Sequence, residues 1–116
     1  MIIDTHTHVQ TTSRSECARG LDALERCMDR HAIAGAIVMP FASPGFDAAI
    51  ELDTLVRCAR GRDRVKPMPC YDPGSGKAGL ASLLRLLESA DIAGVKFFTG
   101  YDAYGPLDES IAAILD

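Results

Sequence analysis

The residues best suited to chemistry lie in the first ten positions, Met1-Ile2-Ile3-Asp4-Thr5-His6-Thr7-His8-Val9-Gln10. From Asp4 onward every second residue is Asp4, His6, His8, and in an extended chain alternate side chains share one face. Two imidazoles two residues apart on a strand can reach a single divalent ion, because neutral ring nitrogens ligate zinc and similar metals. The apolar run Met1 to Ile3 predicts a short buried strand that runs straight into the pair. That context favours a metal site over two polar residues leaving a strand into a loop. Asp4 fits two roles equally, a partner that orients a ligand histidine or a turn former.

The elements that would position these groups follow from hydrophobic periodicity. Thr11 to Glu16 is polar and aperiodic and reads as a loop. Leu21, Leu24, Met28 and Ile33 recur at helical spacing, predicting a helix over about 20–32 ended by Gly35. Ala36-Ile37-Val38-Met39, stopped by Pro40, predicts a second buried strand. After a turn at Ser43-Pro44-Gly45, a second helical pattern runs from Asp47 through Ile50, Leu52, Leu55, Val56 and Ala59. Val65 to Cys70 reads as a third strand weakened by Pro67 and Pro69, which lack the N–H a central strand donates. Tyr71 and Asp72 follow it and read as loop structure, continuing through Gly76. Leu80, Leu83, Leu84, Leu87 and Ala90 predict a third helix, Gly94 to Thr99 a fourth strand with Phe97 and Phe98 as core, and Leu107 to Leu115 a fourth helix capped by Asp108.

Strands thus begin about every 30 residues, each followed by a helix, and such a βα repeat demands an α/β fold with parallel strands and helices packed outside. A TIM-type (β/α)8 barrel has eight such units in about 250 residues, with its active site at the C-terminal ends of the strands. Residues 1–116 form a single domain supplying four units, a half barrel. The expectation is that a second half follows in a longer product, or that two copies associate to cover the open edges.

Bulk properties narrow the function. With 47% hydrophobic and 24% charged residues the composition is that of a globular domain. A net charge of −4 and a pI near 5.3, without a Lys/Arg run, disfavour nucleic acid and anionic membranes as partners and leave small molecules open. No apolar run approaches the roughly 20 residues that span a bilayer. Cys17, Cys27, Cys58 and Cys70 show no Cys-x-x-Cys spacing and read as reduced thiols of a cytoplasmic protein. His31 falls at the end of the first helix, where a cation suits the dipole. Gly74-Ser75-Gly76-Lys77 lacks the full spacing of a phosphate loop.

The N-terminal His6-x-His8 resembles the first barrel strand of the amidohydrolase superfamily of metal-dependent hydrolases. Further landmarks are similar to those of its dihydroorotase and hydantoinase members: Ala36-Ile37-Val38-Met39-Pro40 on strand two, Lys66-Pro67-Met68-Pro69-Cys70-Tyr71 on strand three, and Val95-Lys96-Phe97-Phe98 on strand four. The resemblance covers the whole chain but only the first half of the family's barrel. It implies that Lys96 is carbamylated and bridges two divalent ions, most simply zinc, with His6 and His8 holding one of them. It further implies that Tyr101 helps hold the developing oxyanion while a metal-activated water cleaves a cyclic amide or imide. Two departures, Gln10 and Phe41 in place of an arginine and an asparagine that bind a substrate carboxylate in dihydroorotases, point away from an anionic substrate.

Elementary chemistry supports the lysine independently. Burial in an apolar strand disfavours the charged ammonium, and only the neutral amine can attack carbon dioxide to give an anionic oxygen ligand. The alternative is an outward Lys96 with its stem buried and its head in solvent. Strand alternation makes the choice visible: Lys96 and Phe98 share one face, Val95, Phe97 and Thr99 the other. Rival functions are a related metal-dependent barrel, nuclease-like or decarboxylase-like, and a non-catalytic half barrel.

Overall fold

Strands and helices alternate along the chain in the computed structural model, which describes residues 1–41, 48–89, 91–97 and 109. The order is β1 (Ile2–Val9), α1 (Arg14–His31), β2 (Ile33–Pro40), α2 (Ala48–Ala59), β3 (Val65–Pro67), a 3-10 turn (Pro73–Ser75) and α3 (Gly76–Ser89). The three strands form a parallel sheet in the order β1-β2-β3. The expected α/β class with parallel strands is therefore observed. Of the expected fourth strand, Gly94 to Phe97 are described, and Lys96 makes a parallel bridge to Cys70. Phe98, Thr99, Tyr101 and the expected fourth helix lie outside the described residues, apart from Glu109, which is helical.

The first helix starts at Arg14, six residues earlier than its apolar periodicity indicates. Ser13 caps it by accepting the N–H of Glu16 at 3.2 Å, and the Glu16 carboxylate in turn accepts from the hydroxyls of Thr12 and Ser13. The Ser13-x-x-Glu16 spacing is a capping box, so a stretch that is aperiodic in hydrophobicity still carries a helix start. Glu16 is held below the usual carboxylate range by the Thr12 hydroxyl first and that of Ser13 second. The helix ends at His31, close to the expected end near 32, but the residue that terminates it is Ala32 rather than Gly35. Ala32 is left-handed (φ 54°) and its N–H closes on the Met28 carbonyl, a conformation that costs a non-glycine residue ~1 kcal/mol. This stop frees Ile33 to begin β2.

Cys17, Leu21 and Met28, spaced by four and seven residues, are fully buried and form one stripe of α1. They pack with Leu55 and Ala59 of α2 onto Val9, Ala36, Val38 and Val65 of the sheet. A second cluster joins Tyr71 and Leu83 with Val95 and Phe97. The helices therefore cover one face of the sheet. Arg62, after α2, ties this layer to α1 through ion pairs with Asp22 (2.6 Å) and Glu25, and Arg64 adds another to Asp29 at 2.7 Å.

The third strand is shorter than expected. Its ladder ends at Pro67, and Pro69 has no N–H with which to continue it. The third helix begins at Gly76, not near Leu80, because Asp72 starts a turn by accepting the Gly74 N–H at 2.8 Å and a 3-10 segment leads into the helix. The expected burial of Met1 to Ile3 is overturned: Met1 is fully exposed and Ile2 and Ile3 are 58% and 51% exposed. Among the described residues β1 has only β2 as a strand neighbour, so its first residues lie at a sheet edge.

Candidate metal centre

Each side chain's face follows from the register. Thr7 pairs with Val38, His8 with Met39 and Val9 with Pro40. Parallel partners share a face. Val9 and Val38 are in the helix-covered core, which places His8 and Met39 on the opposite face. Between Asp4 and Thr7 the register shifts, and in that interval Asp4 Oδ1 accepts the His6 backbone N–H at 2.9 Å. Asp4 thus acts as a local turn former, and its carboxyl is held below the ordinary value first by that bond.

The two imidazoles converge. His6 Nε2 and His8 Nε2 lie 3.0 Å apart with ring centroids 4.9 Å apart. His8 Nδ1 lies 2.9 Å from the carbonyl oxygen of Pro40. That oxygen only accepts, which assigns the proton to Nδ1 and leaves the Nε2 lone pair pointing at His6. In the neutral pair His6 Nε2–H is then the donor. Moving that proton to the other His6 nitrogen leaves two Nε2 lone pairs aimed at one point.

The fit to a metal can be tested against ligand distances. Two nitrogens ~2.0–2.1 Å from one zinc at a tetrahedral angle lie ~3.3 Å apart. The observed 3.0 Å therefore needs to open by only ~0.3 Å. The bond from His8 to a backbone carbonyl is also the brace that metal-ligating histidines use to fix their tautomer. Among the described residues no group of three or more His, Cys, Asp and Glu side chains is assembled.

Beside the pair, Phe41 stands with its ring edge-on to His8 at 5.8 Å and is half exposed. Its N–H donates to the Val9 carbonyl at 2.8 Å, which pins the end of β2 against the end of β1. A separate open cleft of about 530 Å³ lies between the edge of β1, from Thr7 to Gln10, and Glu16, Arg19, Gly20 and Leu24 of α1, toward the helix-covered side.

Lys96 shares this face. The Lys96 N–H donates to Pro69 O and its carbonyl accepts from Tyr71 N–H, making Cys70 its strand partner. Phe97 and Val95, its sequence neighbours, pack toward α3, with Phe97 edge-on to Tyr71 at 6.1 Å. Lys96 and Cys70 accordingly point away from the helices, as His6 and His8 do. Three strand spacings of ~4.8 Å separate β1 from the Lys96 segment, ~14 Å measured along the sheet. The Cys70 thiol is pushed up to about 12 by burial, with the Lys96 charge acting the other way. Tyr101 lies outside the described residues. Tyr71 is buried against Leu83, and His31 is exposed at the end of α1, both in structural positions.

Two features of the site were not read from the sequence: the Pro40 carbonyl that orients His8, and the aromatic wall that Phe41 places beside it. The first has no side-chain signature. The second was visible only as an unexpected residue type after Pro40.

No protein-family model matches the chain, and no curated protein or solved structure is significantly similar to it. No helix among the described residues is long and apolar enough to cross a membrane.

Proposed function

We propose that the chain supplies the His-x-His part of the metal centre of a metal-dependent hydrolase of the amidohydrolase type, acting on a cyclic amide or imide C–N bond. One observation carries this reading: the ring nitrogens of His6 and His8 converge at 3.0 Å while a backbone carbonyl braces His8 from behind. A divalent ion there, most simply zinc, would supply a Lewis acid and an acidified water, the chemistry that amide hydrolysis needs.

The residues of this chain have separate tasks. His6 and His8 hold the ion, and Pro40 keeps the His8 ring in the ligating tautomer. Lys96, on the same uncovered face, would as a carbamate supply an anionic oxygen ligand for a second ion. Tyr101 donates to the developing oxyanion. The half-exposed Phe41 and the uncharged Gln10 favour a neutral substrate over an anionic one. The four βα units are then the first half of a (β/α)8 barrel, completed by further polypeptide or by a second copy.

A non-catalytic module is the second reading, favoured by the two-histidine set that stands alone among the described residues. Equilibrium dialysis against zinc, followed by assays of hydantoin, dihydrouracil, DNA and aromatic acids with the loaded chain, separates the possibilities. Zinc uptake lost in His6→Ala together with imide hydrolysis supports the hydrolase. Uptake without turnover of any substrate favours the module. Equal uptake by wild type and His6→Ala would leave no metal centre on β1.

A further inference from the structure

On the opposite, helix-covered side of the sheet, two cysteines from different helices meet. Cys17 of α1 is fully buried, and Cys58 of α2 is half-buried and packs against the same cluster. The Cys58 thiol donates to the carbonyl oxygen of Arg14 at 3.6 Å. Arg14 lies three residues before Cys17, hence on the same side of α1 one turn earlier, and Cys58 packs against the apolar cluster that contains Cys17, near enough for its thiol to push that of Cys17 upward. Arg62 Nε donates to the Cys58 carbonyl at 3.2 Å, and its guanidinium is held there by Asp22 and Glu25. Arg62 thus fixes the backbone at Cys58, while the Cys58 thiol itself keeps partial access to solvent.

We propose that Cys17 and Cys58 form a two-electron oxidation site, in which a peroxide that reaches Cys58 leads to a disulfide joining α1 to α2. The accessible Cys58 sulfur attacks one peroxide oxygen. The S–O bond forms, the O–O bond breaks, and the departing hydroxide takes the thiol proton as water. Cys17 then attacks the sulfenic sulfur of Cys58. The S–S bond forms, the S–O bond breaks, and the second hydroxide leaves as water with the Cys17 proton. Two thiols lose two electrons and hydrogen peroxide is reduced to two waters.

The order of events follows from the environment. Cys17 has no exposure and its thiol is pushed up to about 12, by burial first and by Cys58 next, with Arg62 opposing. Its lack of exposure leaves Cys58 as the sulfur that a peroxide from solvent meets first, and Cys17 as the neighbour that resolves the sulfenic acid. The site is independent of the histidine pair, which lies on the other face of the sheet.

The test uses the full chain carrying Cys27→Ser, which removes the exposed thiol, treated with one equivalent of hydrogen peroxide, alkylated after unfolding and digested with trypsin. The expected product is peptide 15–19 linked to peptide 58–60, lost on reduction. A companion Cys17→Ser variant should retain Cys58 as a dimedone-trapped sulfenic acid at roughly tenfold the parent level, since nothing resolves it. Peptide 58–60 unmodified or carried on to sulfinic or sulfonic acid, with Cys17 still alkylated, would overturn the proposal. Should Cys17→Ser fail to fold by circular dichroism, the linked peptide in the parent decides alone.

Discussion

The Nδ1–H of His8 donates to the carbonyl oxygen of Pro40 across 2.9 Å, so the ring at the end of β1 is oriented by the neighbouring strand. His8→Ala is expected to lower the stability of the metal-free chain by about 1 kcal/mol through loss of that bond. It is also expected to remove zinc binding. His6→Ala should likewise abolish zinc uptake but leave urea stability nearly unchanged, since His6 is exposed. Urea melts and calorimetric zinc titrations of the two variants check the contrast, and similar profiles for both would contradict the brace.

Ser13 starts α1 by accepting the Glu16 N–H at 3.2 Å. Replacing it with alanine removes the side-chain acceptor at the helix N-terminus, at a cost of about 1 kcal/mol. Ser13→Asp should recover most of the loss, since aspartate caps equally well. Chemical denaturation reports both, with an unchanged slope in denaturant if the unfolded state is unaffected.

Asp4 accepts the His6 backbone N–H, and its carboxyl titrates below the ordinary value of 3.8. A carboxyl lowered on folding contributes stability above its unfolded pKa and loses that contribution as pH falls through the folded one. The stability gap between wild type and Asp4→Ala should therefore be constant from neutral pH down to about 5, and close below about 4. Unfolding curves across that range test it, and a gap that persists at the acid end would mean the carboxylate does not act through its charge.

The β1 edge carries Met1, Ile2 and Ile3, all exposed, and has β2 as its only strand partner among the described residues. An unpaired apolar edge is a template for another strand. Concentration-dependent association in light scattering is the expected behaviour. Ile3→Lys should suppress it, because an edge lysine opposes strand addition, and a chain monomeric at high concentration without that change would show the edge to be covered.

Several features were legible in the residues themselves because they are local. Alternation on β1 put His6 and His8 on one face, the apolar stripe of α1 announced a helix against a sheet, and the repeat of strand and helix implied parallel pairing. The box Ser13-x-x-Glu16 was also present, though hydrophobic periodicity alone passed over it. Other features belong to the tertiary structure because they depend on which strand lies beside which, and in what register. Val9 opposite Pro40 brings a backbone carbonyl under the His8 ring, a contact 32 residues apart that no spacing encodes. The alternation of Lys96 and Phe97 allowed either face inward. Only the bridge to Cys70 and the packing of Phe97 on Tyr71 turned the lysine away from the helices, since a strand's two faces are equivalent until one of them is covered.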